Sequence, residues 1–153
     1  MLSLRNAVKN WNVWILTLQY ACCFGVEVTM TNATALYFKD EFGQSTVSAA
    51  GIASIFGLMN LFARGFGGFW SDKFQTSHGV KGRLFWQMLT LTLEGLAVGI
   101  FGFADSLAGS IVALVFLSCM VQSAEGSTFG IVPYVSRRYT GKLQHSFWHI
   151  VDP

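Results

Sequence analysis

Long apolar runs separated by short polar breaks organise the whole chain. Apolar residues dominate 13–38, 47–70, 84–104 and 107–134. Each run reaches the ~20 residues that an α-helix needs to cross the hydrocarbon core of a bilayer. Backbone polar groups in lipid must be satisfied within the segment, so helices are the natural reading. Barrel strands would be about half as long and would alternate in polarity, which these runs do not. The pattern predicts an all-α, polytopic membrane protein with four transmembrane helices. Lys39, Asp40, Glu41 and Gly43 mark the first break, a polar, basic loop at 71–83 the second, and Ala104-Asp105-Ser106 a tight turn before the fourth helix, which carries Pro133 near its end.

Composition sharpens this picture by exclusion. Of 153 residues, 52% are hydrophobic and 12% charged, against roughly 25% charged in soluble domains. So few charges could not cover a soluble surface, and a chain this apolar is not disordered. The net charge of +2 is too small and too scattered for a nucleic-acid binder. Cys22, Cys23 and Cys119 lie in apolar runs without metal-ligand spacing. No P-loop, dinucleotide fingerprint or HExxH pattern is present. His78 falls in the second break, and His145 and His149 in the tail, so no catalytic grouping, metal or cofactor is expected.

Basic residues set the expected orientation. Arg5, Lys9, Lys73, Lys81, Arg83, Arg137, Arg138 and Lys142 fall on one side of a four-helix arrangement, Lys39 on the other, and Arg64 within a helix. Both termini and the loop at 71–83 are therefore expected in the cytoplasm. The start, MLSLRNAVKN, reads as a lead-in to a spanning helix, because the apolar run behind it is too long for a signal peptide. The last stretch, KLQHSFWHIVDP, is too short and polar to span, and Phe147 and Trp148 suit the interface.

Three features inside the apolar runs carry candidate chemistry. Arg64 sits in NLFARGFGGFW, where a central arginine costs about 2.5–3.5 kcal/mol even on a lenient insertion scale. It is either an anion ligand, since guanidinium offers a planar donor fork, or a side chain snorkelling to the interface. Tyr20, Phe24, Glu27 and Thr31 follow helical spacing and line one face. That stripe either faces a polar cavity, with Asn60 as a further polar candidate, or packs against a neighbouring helix. Glu27, Glu94 and Glu125 lie on three different helices. Intramembrane acids mark ion or proton routes, but Glu94 and Glu125 read better as neutral or locally paired. The Gly95/Gly99 and Gly126/Gly130 pairs have the spacing of close helix packing, as do Gly65, Gly67 and Gly68 beside Arg64.

Gly68-Phe69-Trp70-Ser71-Asp72-Lys73, leading to Gly82-Arg83, resembles the cytoplasmic loop motif of the major facilitator superfamily, with QTSHGVK inserted. The runs ILTLQYACCFGVE, GLMNLFARGFGGFWSDKF and VQSAEGSTFGIVPYVSRR resemble more specifically the nitrate/nitrite porter family, in its eukaryotic high-affinity branch. The resemblance covers residues 8–141 and matches helices seven to ten of twelve, within the carboxy-terminal half. It implies Arg64 as a nitrate-binding arginine, in the context Ala63-Arg64-x-x-Gly67-Gly68-x-x-Ser71-Asp72, and Tyr20 and Phe24 as residues lining the same site. It also implies a multi-pass protein of the plasma membrane, a nitrate or nitrite substrate, proton-coupled symport by alternating access, and the remaining helices of the transporter as partners in the bilayer. The family's second arginine belongs to the amino-terminal half. Residues 142–153 depart from the family pattern and read as an unrelated or frame-altered tail. Two rivals stay open: a carrier of another anion or an organic solute in the same superfamily, and a truncated membrane fragment without transport.

Overall fold

The computed structural model describes residues 9–135. Arg5, Arg137, Arg138 and the tail at 142–153 with its histidines and aromatics lie outside the described residues. Three helices follow one another: α1, Trp11–Phe42; α2, Thr46–Gly102; and α3, Leu107–Val135. All three are long and apolar enough to cross a membrane. Asn10 caps α1, its side chain accepting from the Asn12 N–H at 3.0 Å. Ser45 does the same for α2 through the Ser48 N–H at 3.2 Å. Between them Gly43 ends α1 in the left-handed region, at φ 59°, where only glycine avoids a Cβ penalty.

The expected boundary between the second and third helices is corrected. Residues 71–83 are not a loop: α2 is helical throughout except at Gly79, with φ 63° and ψ −151°. Polar side chains do not break a helix by themselves. Thr76 and Ser77 even bond back to the Lys73 carbonyl. A positive φ breaks it at the one residue that tolerates such a conformation. The chain reverses there. Trp70 and Trp86 stack with ring centroids 5.9 Å apart, whereas residues so spaced in a straight helix would be about 24 Å apart. The Trp86 indole also donates to the Gly67 carbonyl at 3.1 Å, and Phe74 stacks on Trp86. Thus α2 is two side-by-side arms, 46–78 and 80–102, joined at one glycine.

α3 is the most enclosed of the helices. Leu114, Leu117, Val121 and Ala124 are buried and join Phe38, Phe56 and Ala97 in the apolar core. Against the first arm of α2 the packing is backbone-close. Ser118 donates to the Phe56 carbonyl at 3.2 Å and Ser123 to the Ala63 carbonyl at 3.3 Å. A methyl group on Gly67 would strike the Ser123 backbone, and one on Gly126 the Arg64 carbonyl. Gly130 leaves room for the Arg83 guanidinium. The Gly126/Gly130 pair therefore packs as expected. Gly95 and Gly99 do not: each faces open space among the described residues, because they turn away from α3. Outward faces carry Trp11, Val47, Leu61 and Phe103, all highly exposed, as a lipid-bathed helix requires.

Gly126→Val should therefore wedge α3 from α2, at a cost of about 1–3 kcal/mol. Thermal unfolding of the detergent-solubilised protein should show a clear fall in melting temperature, whereas Gly95→Ala should show none.

Candidate functional site

The interior of the bundle is crossed by a charged cluster built from all three helices. Arg64, on the first arm of α2, points its guanidinium between α1 and α3. Its Nη2 bonds Glu27 Oε2 of α1 at 3.1 Å and the Glu125 carboxylate of α3. Its Nε donates to Gln122 Oε1 at 3.2 Å. Glu27 Oε1 accepts from Asn60 Nδ2 and from Gln122 Nε2, both at 2.9 Å. The side chain of Arg64 keeps 33% exposure, Glu27 12% and Glu125 none. Arg64 thus turns its Nε and Nη2 donors inward, onto groups that share the cost of burying charge.

Tyr20 and Phe24, one turn apart on α1, stack almost parallel, with centroids 5.9 Å apart and an interplanar angle of 7°. Phe129 of α3 meets the Tyr20 ring edge-on at 5.6 Å, an arrangement that ring quadrupoles favour. Tyr20 lies within electrostatic reach of Arg64, Glu27 and Glu125. A cleft of about 220 Å³ opens beside it, lined by Leu16, Thr17, Thr128, Phe129 and Val132.

The residues of the expected stripe do not all meet the cluster. Glu27 and Asn60 belong to the cluster directly, and Phe24 stacks on Tyr20 one turn away on the same helix. Thr31 does not meet the cluster: it is exposed and its hydroxyl bonds back to the Glu27 carbonyl at 2.8 Å. Glu125, read in the sequence as neutral or locally paired, pairs with Arg64, and Gln122 joins it. Gln122, Glu125 and Phe129 lie three and four residues apart on one face, but that spacing does not say which helix the face meets. Glu94 pairs locally, accepting from the Cys23 thiol at 3.1 Å, while Gln87 turns to Thr128 and Ala124 of α3 instead.

A second polar group lies at the reversal of α2. Arg83 pairs with Asp72 and Gln75, and stands 5.5 Å from the Tyr134 ring centroid. Lys73 stands 4.8 Å over Trp70. Gly82 packs so tightly on the Phe74 carbonyl that no side chain fits. Gly68 has only the Gly126 carbonyl near it, at 3.9 Å from where a methyl would stand.

Removing the shared cation should expose the cost of the cluster. Arg64→Ala leaves Glu27 facing Glu125. The loss of stability should fall toward the lower end of the ~3–5 kcal/mol typical of a broken buried pair, since Arg64 is one-third exposed. Adding Glu125→Gln should recover part of it, with a coupling of about 0.5–3 kcal/mol in a double-mutant cycle of thermal melts.

This architecture has clear relatives. Residues 1–145 match the family described as the Major Facilitator Superfamily. The chain is 42% identical over 138 residues to the high affinity nitrate transporter 2.5 of Arabidopsis thaliana, covering 90% of this chain and 28% of that protein. It is 42% identical over 139 residues to nitrate transporter 2.2 of Chlamydomonas reinhardtii, covering 90% and 27%. It is 39% identical over 137 residues to the nitrate/nitrite transporter NrtP of Picosynechococcus sp., covering 86% and 24%. The chain thus spans about a quarter of the length of the curated relatives it matches. No solved structure is a significant match. Three apolar helices and a family match over nearly the full length lead to one conclusion: the chain is a multi-pass membrane protein and belongs to the Major Facilitator Superfamily.

Proposed function

We propose that this chain forms one wall of a nitrate or nitrite pathway and that Arg64 is its anion ligand. The observation that carries the reading is the placement of Arg64: a guanidinium held inside the bundle, one-third exposed, within electrostatic reach of Tyr20 in the Tyr20–Phe24 stack. A planar donor fork fits a planar oxyanion, the Tyr20 hydroxyl adds a donor, and an aromatic face suits the flat ion. The names of the relatives point to the same substrate.

The reversal at Gly79 supports four crossings, because each arm of α2 is then long enough to span on its own. Residues 1–141 form part of the carboxy-terminal half of the complete carrier. The remaining helices supply the opposite wall, and alternating access exposes Arg64 to each side in turn. The basic residues Lys9, Lys73, Lys81 and Arg83 favour an orientation with the Gly79 reversal and the termini in the cytoplasm, and the carrier works in the plasma membrane. The Arg83–Asp72 pair helps to close that side.

In the complete transporter, Arg64→Lys should lose most nitrate affinity in tracer uptake, because a point charge replaces a fork. Tyr20→Phe should cost only about 0.5–1.5 kcal/mol, one hydrogen bond. Normal uptake by Arg64→Lys at unchanged protein level would refute the assignment. For orientation, a membrane-impermeant label at Ser77Cys should react only after permeabilisation. Labelling from outside intact cells would invert the topology.

A further inference from the structure

Two of the three guanidinium nitrogens of Arg64 are already engaged. Its Nη2 is divided between Glu27 and Glu125 and its Nε is committed to Gln122. With both carboxylates ionised, the three charged groups sum to a formal −1. An arriving anion would raise that to −2 in a setting where uncompensated charge is strongly penalised. The site as built therefore repels the ion it is placed to bind, unless a negative charge leaves first.

The two carboxylates are not equivalent. Glu27 is well served: Oε1 accepts from Asn60 and Gln122, and Oε2 from Arg64. Glu125 is fully buried, and only its Oε2 has a partner. Its Oε1 has none among the described residues. The titratable and charged groups around it are Tyr20, Cys23 and Glu27 from α1, and Arg64 and Glu94 from α2. Of these, Arg64 alone is a cation, so its ion pair is the contact that favours the charged carboxylate against burial.

We propose that Glu125 is the proton-accepting lock on Arg64: a proton from water bonds to its carboxylate, the Arg64–Glu125 ion pair breaks, and the freed guanidinium N–H groups take the oxygens of the anion. The exchange balances. Arg64 with two carboxylates carries −1, and Arg64 with ionised Glu27, neutral Glu125 and bound nitrate also carries −1. When the proton leaves Glu125 toward the opposite side, the carboxylate reclaims Arg64 and displaces the anion. One proton and one anion thus move in the same direction. This inference rests on the nitrate reading above and deepens it by assigning the residue that links the two ions.

The test uses the complete transporter carrying this segment, reconstituted in lipid nanodiscs, with potassium nitrate as titrant. For wild type, calorimetric Kd should rise about tenfold per pH unit on the alkaline side, the slope of one linked proton. A weakly buffered sample should take up one proton per nitrate bound. Glu125→Gln should bind nitrate with a flat pH dependence and no proton uptake, whereas Glu27→Gln should retain the wild-type slope. A wild-type slope and proton uptake in Glu125→Gln, or their loss in Glu27→Gln alone, would overturn the assignment. Should Glu125→Gln fail to fold, the wild-type proton count decides: binding without proton uptake sinks the lock while leaving nitrate as substrate. No nitrate binding at any pH would instead bring down the substrate reading, and the lock with it.

Discussion

One guanidinium ties the bundle together. Arg64 bonds α1 through Glu27 and α3 through Glu125 and Gln122, while its own helix supplies the charge. No single helix could hold this arginine in an apolar interior, where its cost is high, so the three helices need one another at this level of the bundle. Asn60 and Gln122 extend the same logic by satisfying the Glu27 oxygen that Arg64 does not reach. Polar satisfaction and helix association are here one requirement.

That cluster depends on how closely α2 and α3 approach. The collision that a side chain on Gly126 would meet is with the Arg64 carbonyl itself, so the residue that carries the charge is also a point of closest helix contact. Ser118 and Ser123 reach across to α2 carbonyls on the same seam. In lipid, where apolar surface gives helices little reason to pair, small residues and interhelical hydrogen bonds supply the contact energy. The aromatic stack of Tyr20, Phe24 and Phe129 stands beside this seam rather than in it.

What the sequence made legible follows from what periodicity can report. Apolar length exposed the helices, and a lone arginine in a long apolar run marked the site. Spacing along α1 put Tyr20, Phe24 and Glu27 on one face. Periodicity carries no information on how one helix is rotated against another, however, so Glu125 and Gln122 were not legible as Arg64 partners. The same blindness gave Gly95 and Gly99 the same reading as Gly126 and Gly130, although among the described residues nothing stands against them. The polar run at 71–83 looked like a loop because polarity and helix breaking tend to coincide at membrane surfaces. Only Gly79 breaks the helix, and glycine alone does not announce a positive φ.

That single-residue reversal has a mechanical consequence. A long loop between two helices acts as slack, letting each tilt without disturbing the other. At Gly79 there is none: helix runs up to the glycine on both sides, and the Trp70–Trp86 stack and the Arg83–Asp72 pair lock the arms just beside it. Any tilt of the arm bearing Arg64 must pass through two backbone torsions into the arm bearing Glu94. The hairpin is thus built as one stiff piece, joined at a single end, rather than as two helices free to tilt apart.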